Sequence, residues 1–410
     1  MSQSGGGSLP VYNQGPLEGV RVVELGSLVA GPFAGRLLGD FGAEVIKIES
    51  PDEPDLMRQW GAHRFRGRAL VWPIQSRNKK CITLNLRQAE GQELFRRLIA
   101  KSDILLENFR PGTMEKWGLG WDALSALNPA LIMTRVSGFG QSGPYKDRTG
   151  FGSVGEAIGG LRYLMGYPDR PPVRAGIALG DSLAALFATV GTLAALDHRR
   201  KSGRGQMVDC AINEAVFSLL ESILPEYDLL GVVRERTGAT LPKVAPSNIY
   251  PTSDGKMLLI AANQDGIFRR LAQVMGQPEL ADDPRYATHE ARGERQAELD
   301  EIITAWTVTR EMHELWKMLN DAAVPAGPIY SIADIAHDAQ FHARGMIRTV
   351  DDPEIGALKM PGIVPQLSET PGVINWTGPA TPGSHNREIY GELLGVSEQE
   401  LERLSKAGIV

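Results

Sequence analysis

The sequence predicts an α/β protein: a large Rossmann-like, doubly wound domain carrying a parallel sheet, plus a smaller α+β domain. Three observations predict it. Apolar, β-branched runs alternate with helical stretches through the first half of the chain, the pattern of strands covered on both faces by helices. Near Leu224 the pattern changes to one strand followed by several helices. The length, 410 residues, exceeds what one ordinary hydrophobic core organises.

In chain order, Val20–Leu25 is an apolar run closed by Gly26, and Pro32 opens a helical stretch that continues to Phe41. Glu44–Glu49 reads as a second strand. Ala89–Ala100 carries Leu94 and Leu98 at helical spacing, and Asp103–Glu107 and Ala130–Val136 supply two more strands. Ser182–Arg200 is a long Ala- and Leu-rich helix ended by the turn KSGRG, with a strand after it at Gln206–Cys210. In the second part, Lys256–Ala261 is a strand preceded by the turn Ser253-Asp254-Gly255, and helices follow at Gly266–Met275, Glu294–Trp306 and Arg310–Ala322. From Gly327 the chain turns Pro-rich, with short apolar strands and a last helix at Glu398–Lys406. Domains are therefore expected at 1–225 and 226–325, with 326–410 as a C-terminal segment.

Composition narrows the function classes. Hydrophobic content of 42% with 22% charged residues is globular. A net charge of −6 without a basic tract argues against nucleic acid as a partner, while leaving room for a local basic pocket. The opening MSQSGGGSLPVYNQGP has neither a basic start nor an apolar run, so it reads as a flexible leader and not as a signal peptide. No stretch is read as approaching the roughly eighteen apolar residues of a membrane span. Cys81 and Cys210 lie in strand-like stretches and read as free buried thiols of a cytoplasmic protein. No Cys/His spacing suggests a metal site.

The segment from Val20 to Glu49 invites a dinucleotide reading, because Gly26, Gly31 and Gly35 follow a strand and enter a helix. The spacing is wrong. These glycines fall five and four residues apart, so scaffold glycines are the better reading.

The most informative stretch is Arg174–Leu186, in which Gly180-Asp181 ends an apolar run and opens a long helix. A carboxylate there stands at a helix N-terminus, where amide groups and the dipole favour its ionised form. An N-capping aspartate is the plain structural reading of that position. The alternative is a nucleophile.

Several long motifs favour the nucleophile. The segments LEGVRVVELGSLVAGPFAGRLLGDFGAEVIKIESP (17–51), NKKCITLNL (78–86), DILLENFRPGTMEKWGLGW (103–121), NPALIMTRVSGFGQSGPY (128–145) and KSGRGQMVDCAINEA (201–215) resemble, in order, the class III CoA-transferase family of formyl-CoA and carnitine CoA-transferases (the CaiB/BaiF type). The resemblance implies that Asp181 is the nucleophile, attacking the thioester of an acyl-CoA to give a mixed anhydride. It implies CoA contacts at Val29 and Ala30, at Leu84, Asn85 and Arg87, at Asn108, Phe109 and Arg110, and at Lys116, with Arg87, Arg110 and Lys116 as phosphate partners. It implies no permanently bound cofactor, only coenzyme A thioester as substrate. It also implies an interlocked homodimer with the active site between domains of different subunits and the C-terminal segment returning to the large domain. The chain departs from the formyl-CoA transferase pattern at Val29 and Ser50, where that pattern has glutamine and arginine. Oxyanion donors are expected from Gly138 and Gly140 or from Gly150 and Gly152.

Three readings concern the acyl group. Racemases of this family pair the aspartate with a histidine about thirty residues upstream, because epimerisation needs two proton-transfer groups. That position here is Phe151, and His198 is the only histidine between residues 64 and 288. The polyglycine loop of formyl-CoA transferases has no counterpart in TGATLPKVAPSNIYPTSDG. The segments SRNKK (76–80), PPVRAG (171–176) and VAPSNIYPTSDGK (244–256) resemble the branch that includes succinate–hydroxymethylglutarate CoA-transferases. A succinyl-CoA donor and a dicarboxylic acceptor follow from that likeness, with Arg77 or Arg174 answering the free carboxylate and Phe151 and Gly152 beside the acyl group. A 2-methylacyl-CoA racemase and a catalytically silent CoA-binding protein are the alternatives.

Overall fold

Six short apolar segments assemble into one parallel sheet in the computed structural model, which describes residues 15–410. They are β1 (Arg21–Glu24), β2 (Glu44–Glu49), β3 (Lys79–Thr83), β4 (Ile104–Glu107), β5 (Ile132–Ser137) and β6 (Met207–Ala211). Their order across the sheet is β3-β2-β1-β4-β5-β6, every neighbouring pair parallel, with Val23 opposite Ile46 and Leu105. This is the doubly wound order, in which the chain starts mid-sheet, winds to one edge, then returns and winds to the other.

Side-chain alternation explains why the strands read as continuous apolar runs. Val23, Ile46, Ile82, Leu105 and Met133 face a core closed by α2 (Ala89–Ile99) and by the C-terminal residues Tyr390, Leu404 and Val410. Val22, Val45, Ile104, Leu106 and Ile132 face the opposite core, closed by α1 (Ala30–Asp40) and α4 (Leu179–Ser202). Each strand is apolar at odd and even positions alike because both faces are buried.

Residues 15–161, 175–224 and 343–410 form this first unit. The second comprises residues 162–174 and 225–342. It holds a three-stranded antiparallel sheet of β7 (Ser247–Pro251), β8 (Met257–Ala261) and β9 (Ala326–Pro328), packed by helices around Tyr250, Phe268, Leu299 and Leu315. Relative to the boundaries read from the sequence, this unit runs on to His342 and takes in the segment 162–174. The leader lies, through residue 14, outside the described residues.

One expectation needs correction. The helix α4 has 24 residues and a mean hydropathy of 1.6 over its most apolar window, long and apolar enough by composition to cross a membrane. Its Ala184, Ala185, Ala188, Thr192 and Ala195 are buried against the sheet and α1, which is the placement of a core helix.

Candidate active site

The carboxyl ends of β1, β2, β3 and β4 enclose a cavity of about 490 Å³. The segments after β1 and β4, neighbouring strands from which the chain winds in opposite directions, both line it, which is the switch point at which parallel sheets of this order receive ligands. Leu84, Asn85, Arg87 and Phe109 line it, together with Ser27 and Trp117. Phe109 stands edge-on to Trp117, with ring centroids 5.5 Å apart. Arg87 sits at the exposed mouth, paired with Glu53 at 2.9 Å. An exposed pair of this kind is weak enough for a phosphate to replace its acidic member.

The loop under the cavity is held by side chains around it. Asn108 clasps Ser27, accepting from its N–H at 2.9 Å and donating to its carbonyl at 2.8 Å. Leu28 has φ +63, a left-handed conformation that side chains ordinarily avoid. Asp55 holds it there by accepting its N–H at 3.1 Å, and also accepts from Met57 N–H at 2.9 Å. Behind that loop lies a cluster of buried charges. Lys47 Nζ meets Glu24 at 3.1 Å, Asp55 at 2.8 Å and the Gly26 carbonyl at 2.7 Å, while Lys79 Nζ meets Glu24 at 2.7 Å and the Pro32 carbonyl at 2.6 Å. Burial opposes the Lys47 charge, but Glu24 and Asp55 outweigh it and raise its pKa. Gly35 is a glycine because a Cβ there would lie 1.9 Å from Glu24 Oε2, so it is a scaffold position and not a pyrophosphate-binding one.

Asp181 stands elsewhere in the same unit, third residue of α4. It is not an N-cap: Ala178 occupies that position and offers no side-chain bond. The expected preference for the ionised form is also reversed. Burial, and then the charge of Glu156, push the Asp181 carboxyl up to about 6. No hydrogen bond or cation among the described residues acts against them. The carboxylate lies directly over α3 (Gly152–Ile158), where a Cβ on Gly152 would fall 2.2 Å from Asp181 Oδ2 and 2.6 Å from Cγ. Only glycine permits that approach.

The helix carrying Asp181 is fixed in register by two buried contacts. Thr192 Oγ1 lies 2.6 Å from Thr134 Oγ1 on β5, and Cys210 on β6 donates from Sγ to the Ala184 carbonyl at 3.4 Å. Burial raises the Cys210 thiol to about 11 and the Cys81 thiol to about 12, and both are free. Ala30, at the start of α1, shares a small apolar cluster with Ala184 and Ala188, so the start of α1 packs on the second and third turns of α4.

The other residues singled out in the sequence separate into groups. Phe151, the residue before α3, is 62% exposed beside Gly152, at the place a racemase histidine would hold. His198 is seventeen residues further along α4 than Asp181, about 25 Å at the helical rise. Val29 caps α1, and its carbonyl accepts from Gln75. Arg110 and Lys116 are exposed near the β4 end, Arg110 donating to the Asp147 carbonyl at 3.1 Å. Gly138 and Gly150 pack α-carbon to α-carbon, and Gly140 gives its N–H to Ser137 Oγ at 2.9 Å, which removes it as an oxyanion donor.

Arg77 is corrected outright. It is 1% exposed, forks onto both Asp40 oxygens at 2.8 and 2.6 Å and donates to the Pro361 carbonyl, so its charge is answered inside the fold and turned away from any substrate. Arg174 is exposed and belongs to the second unit. Sequence reasoning missed Glu156, which is 1% exposed and accepts the Gly180 N–H at 3.0 Å. Its signal was an acidic residue set among glycines and small apolar residues in GSVGEAIGG.

Residues 17–386 match the family description "CoA-transferase family III". A curated relative, the succinyl-CoA–D-citramalate CoA-transferase of Chloroflexus aurantiacus, is 58% identical over 96% of this chain and 98% of its own. The succinate–glutarate CoA-transferase of Agrobacterium fabrum is 36% identical over 92% of this chain and 96% of its own. Among solved structures, a CaiB/BaiF family protein from Brucella suis superposes with a TM-score of 0.81 at 36% identity, covering 92% of this chain and 99% of that one.

Proposed function

The chain belongs to CoA-transferase family III and is a CoA-transferase, and from that premise we propose that it moves CoA from succinyl-CoA to a dicarboxylic acid through acylation of Asp181. The observation that carries the reading is the Asp181 carboxylate itself, partly buried and faced by a second carboxylate. Burial and repulsion raise the free energy of its charged form. Attack on the succinyl thioester forms a C–O bond, breaks the C–S bond and expels CoA thiolate, leaving an uncharged mixed anhydride where the penalised charge was. The thiolate then attacks the aspartyl carbonyl, releasing succinate and forming an aspartyl-CoA thioester. The acceptor carboxylate displaces CoA to give a second anhydride, and CoA thiolate takes the acceptor acyl group and restores Asp181. Proximity and exclusion of water protect the anhydride from hydrolysis.

The cavity at the strand ends suits CoA, with Leu84, Asn85 and Phe109 along it and Arg87, Arg110 and Lys116 as phosphate cations. Gly150 and Gly152 are the remaining candidates for oxyanion donors. Arg174 is the candidate for the free end of the dicarboxylate. The relatives support succinyl-CoA as donor and an acid of the citramalate or glutarate kind as acceptor. A homodimer is supported by the apolar stripe of Leu186, Phe187, Val190 and Leu193 on the exposed side of α4. A cytoplasmic setting fits the two free thiols.

Initial rates with succinyl-CoA against citramalate, malate, glutarate and acetate test the assignment. Parallel-line kinetics with the dicarboxylates and little turnover with acetate are expected. Intersecting lines, or equal use of acetate, would overturn it. Arg174→Ala is expected to raise KM for the dicarboxylate far more than for acyl-CoA.

A further inference from the structure

We infer that Glu156 is a positioning residue for the nucleophile: it caps the helix that carries Asp181 and, by filling that anion position, leaves the Asp181 carboxylate unanswered. This rests on the reading of Asp181 as the acylated group.

A helix leaves its first N–H groups without intrahelical partners, and a side-chain oxygen ordinarily accepts one of them. The residue before α4 is Ala178, which has no such oxygen. Glu156 does the work from α3 instead, its Oε1 accepting the N–H of Gly180, second residue of α4, at 3.0 Å. The fit is close. A Cβ on Gly180 would lie 2.8 Å from the Gly152 carbonyl oxygen and 3.0 Å from Glu156 Cγ, so the first turns of α3 and α4 meet through two glycines. The carboxylate favoured by the amide end of α4 is therefore that of Glu156. Asp181, one residue beyond Gly180, receives no such hydrogen bond among the described residues, only burial and the neighbouring charge.

Among the described residues of the elements packed most closely on α4, no other charged group acts on Asp181. The elements packed on α4 are α1, α3, β5, β6 and the helix Ile212–Phe217. Their ionisable residues are Arg36 and Asp40, Glu156, Arg135, Asp209 and Cys210, and Glu214, while α4 itself carries Asp197, His198, Arg199, Arg200 and Lys201 at its far end. Of these, only Glu156 bears on Asp181. When Asp181 becomes acylated, its charge disappears and the repulsion disappears with it, while the Gly180 hydrogen bond stays. Glu156 thus holds the geometry through the cycle and favours the acylated state.

Glu156→Gln and Glu156→Asp separate the two effects. Glutamine keeps an oxygen for the Gly180 N–H and removes the charge. Its acid limb of kcat/KM should move to lower pH than in the parent enzyme, measured with the same succinyl-CoA so that substrate ionisations cancel, and kcat should fall about three- to tenfold. Aspartate keeps the charge but draws it back by one methylene, so kcat should fall while the limb stays nearer its parent position. Trapping of Asp181 by hydroxylamine is read in both variants. An unchanged limb in Glu156→Gln, with the Asp181 adduct still formed, overturns this inference alone. Absence of the adduct from the parent enzyme removes the nucleophile reading on which it rests. If neither variant folds by thermal denaturation, Glu156 is a stability determinant and the inference is abandoned.

Discussion

Glu24 and Asp181 are both carboxylates withdrawn from water in the same unit, and their surroundings are opposite. Glu24 is fully buried and met by Lys47 and Lys79, with the cluster extending through Asp55 to the loop under the strand-end cavity. Asp181 is less buried, is met by no cation among the described residues and faces Glu156. On the proposal that Asp181 is the acylated group, depth does not separate the structural acid from the reactive one; the identity of the neighbours does. An answered charge fixes a backbone, whereas an unanswered one stores free energy that a covalent step can release.

The largest test of this contrast is Asp181→Asn. It should lower kcat by at least about a thousandfold, measured with succinyl-CoA and any accepted dicarboxylate, because the amide cannot form the anhydride. Lys47→Met attacks the other side. Removing the cation leaves Glu24 and Asp55 buried beside an apolar group, and chemical denaturation should show a loss of about 3–5 kcal/mol. If Lys47→Met is neutral, the cluster is not what holds the loop.

Gly152→Ala tests the close approach. The added methyl would stand 2.2 Å from Asp181 Oδ2, so the carboxylate must move. A displacement of that kind should lower kcat about ten- to a hundredfold with KM for CoA esters little changed. Asp181→Asn should also stabilise the fold by about 1–3 kcal/mol near neutral pH, since a raised carboxyl pKa means that the ionised form costs stability. The sign follows from that pKa of about 6: the cost is present above it and relieved as pH falls through it, so the gain in Tm should shrink at lower pH. For the same reason kcat/KM should climb as pH rises through about 6.

Much of the first unit was legible because its strands are buried on both faces and carry few polar interruptions. Glu44–Glu49 and Glu398–Lys406 were bounded as observed, and the strands and helices around them shift by one to three residues. The sequence was less open where charge enters the core. Lys79 and Lys80 open β3 at buried positions, so the sequence shows a strand-like stretch around Cys81 and Ile82 without the bounds of a strand. Arg77 looked like a substrate cation because its partner, Asp40, is thirty-seven residues away and nothing local announces the pair. At the site, the position of Asp181 was legible and its electrostatics were not. The dipole favours an ionised Asp181 if that residue caps a helix starting at Ser182, whereas α4 begins at Leu179 and takes its cap from another helix. A cap supplied across a tertiary contact has no signature in the residues beside the helix start.

The central claim is that the Asp181 carboxylate becomes acylated. The most direct test is to incubate the enzyme with succinyl-CoA and hydroxylamine, then locate the modified residue by peptide mass spectrometry. The account predicts a hydroxamate at Asp181 that accumulates in step with lost activity. Full activity with an unmodified Asp181, or a modification confined to another residue, would contradict it.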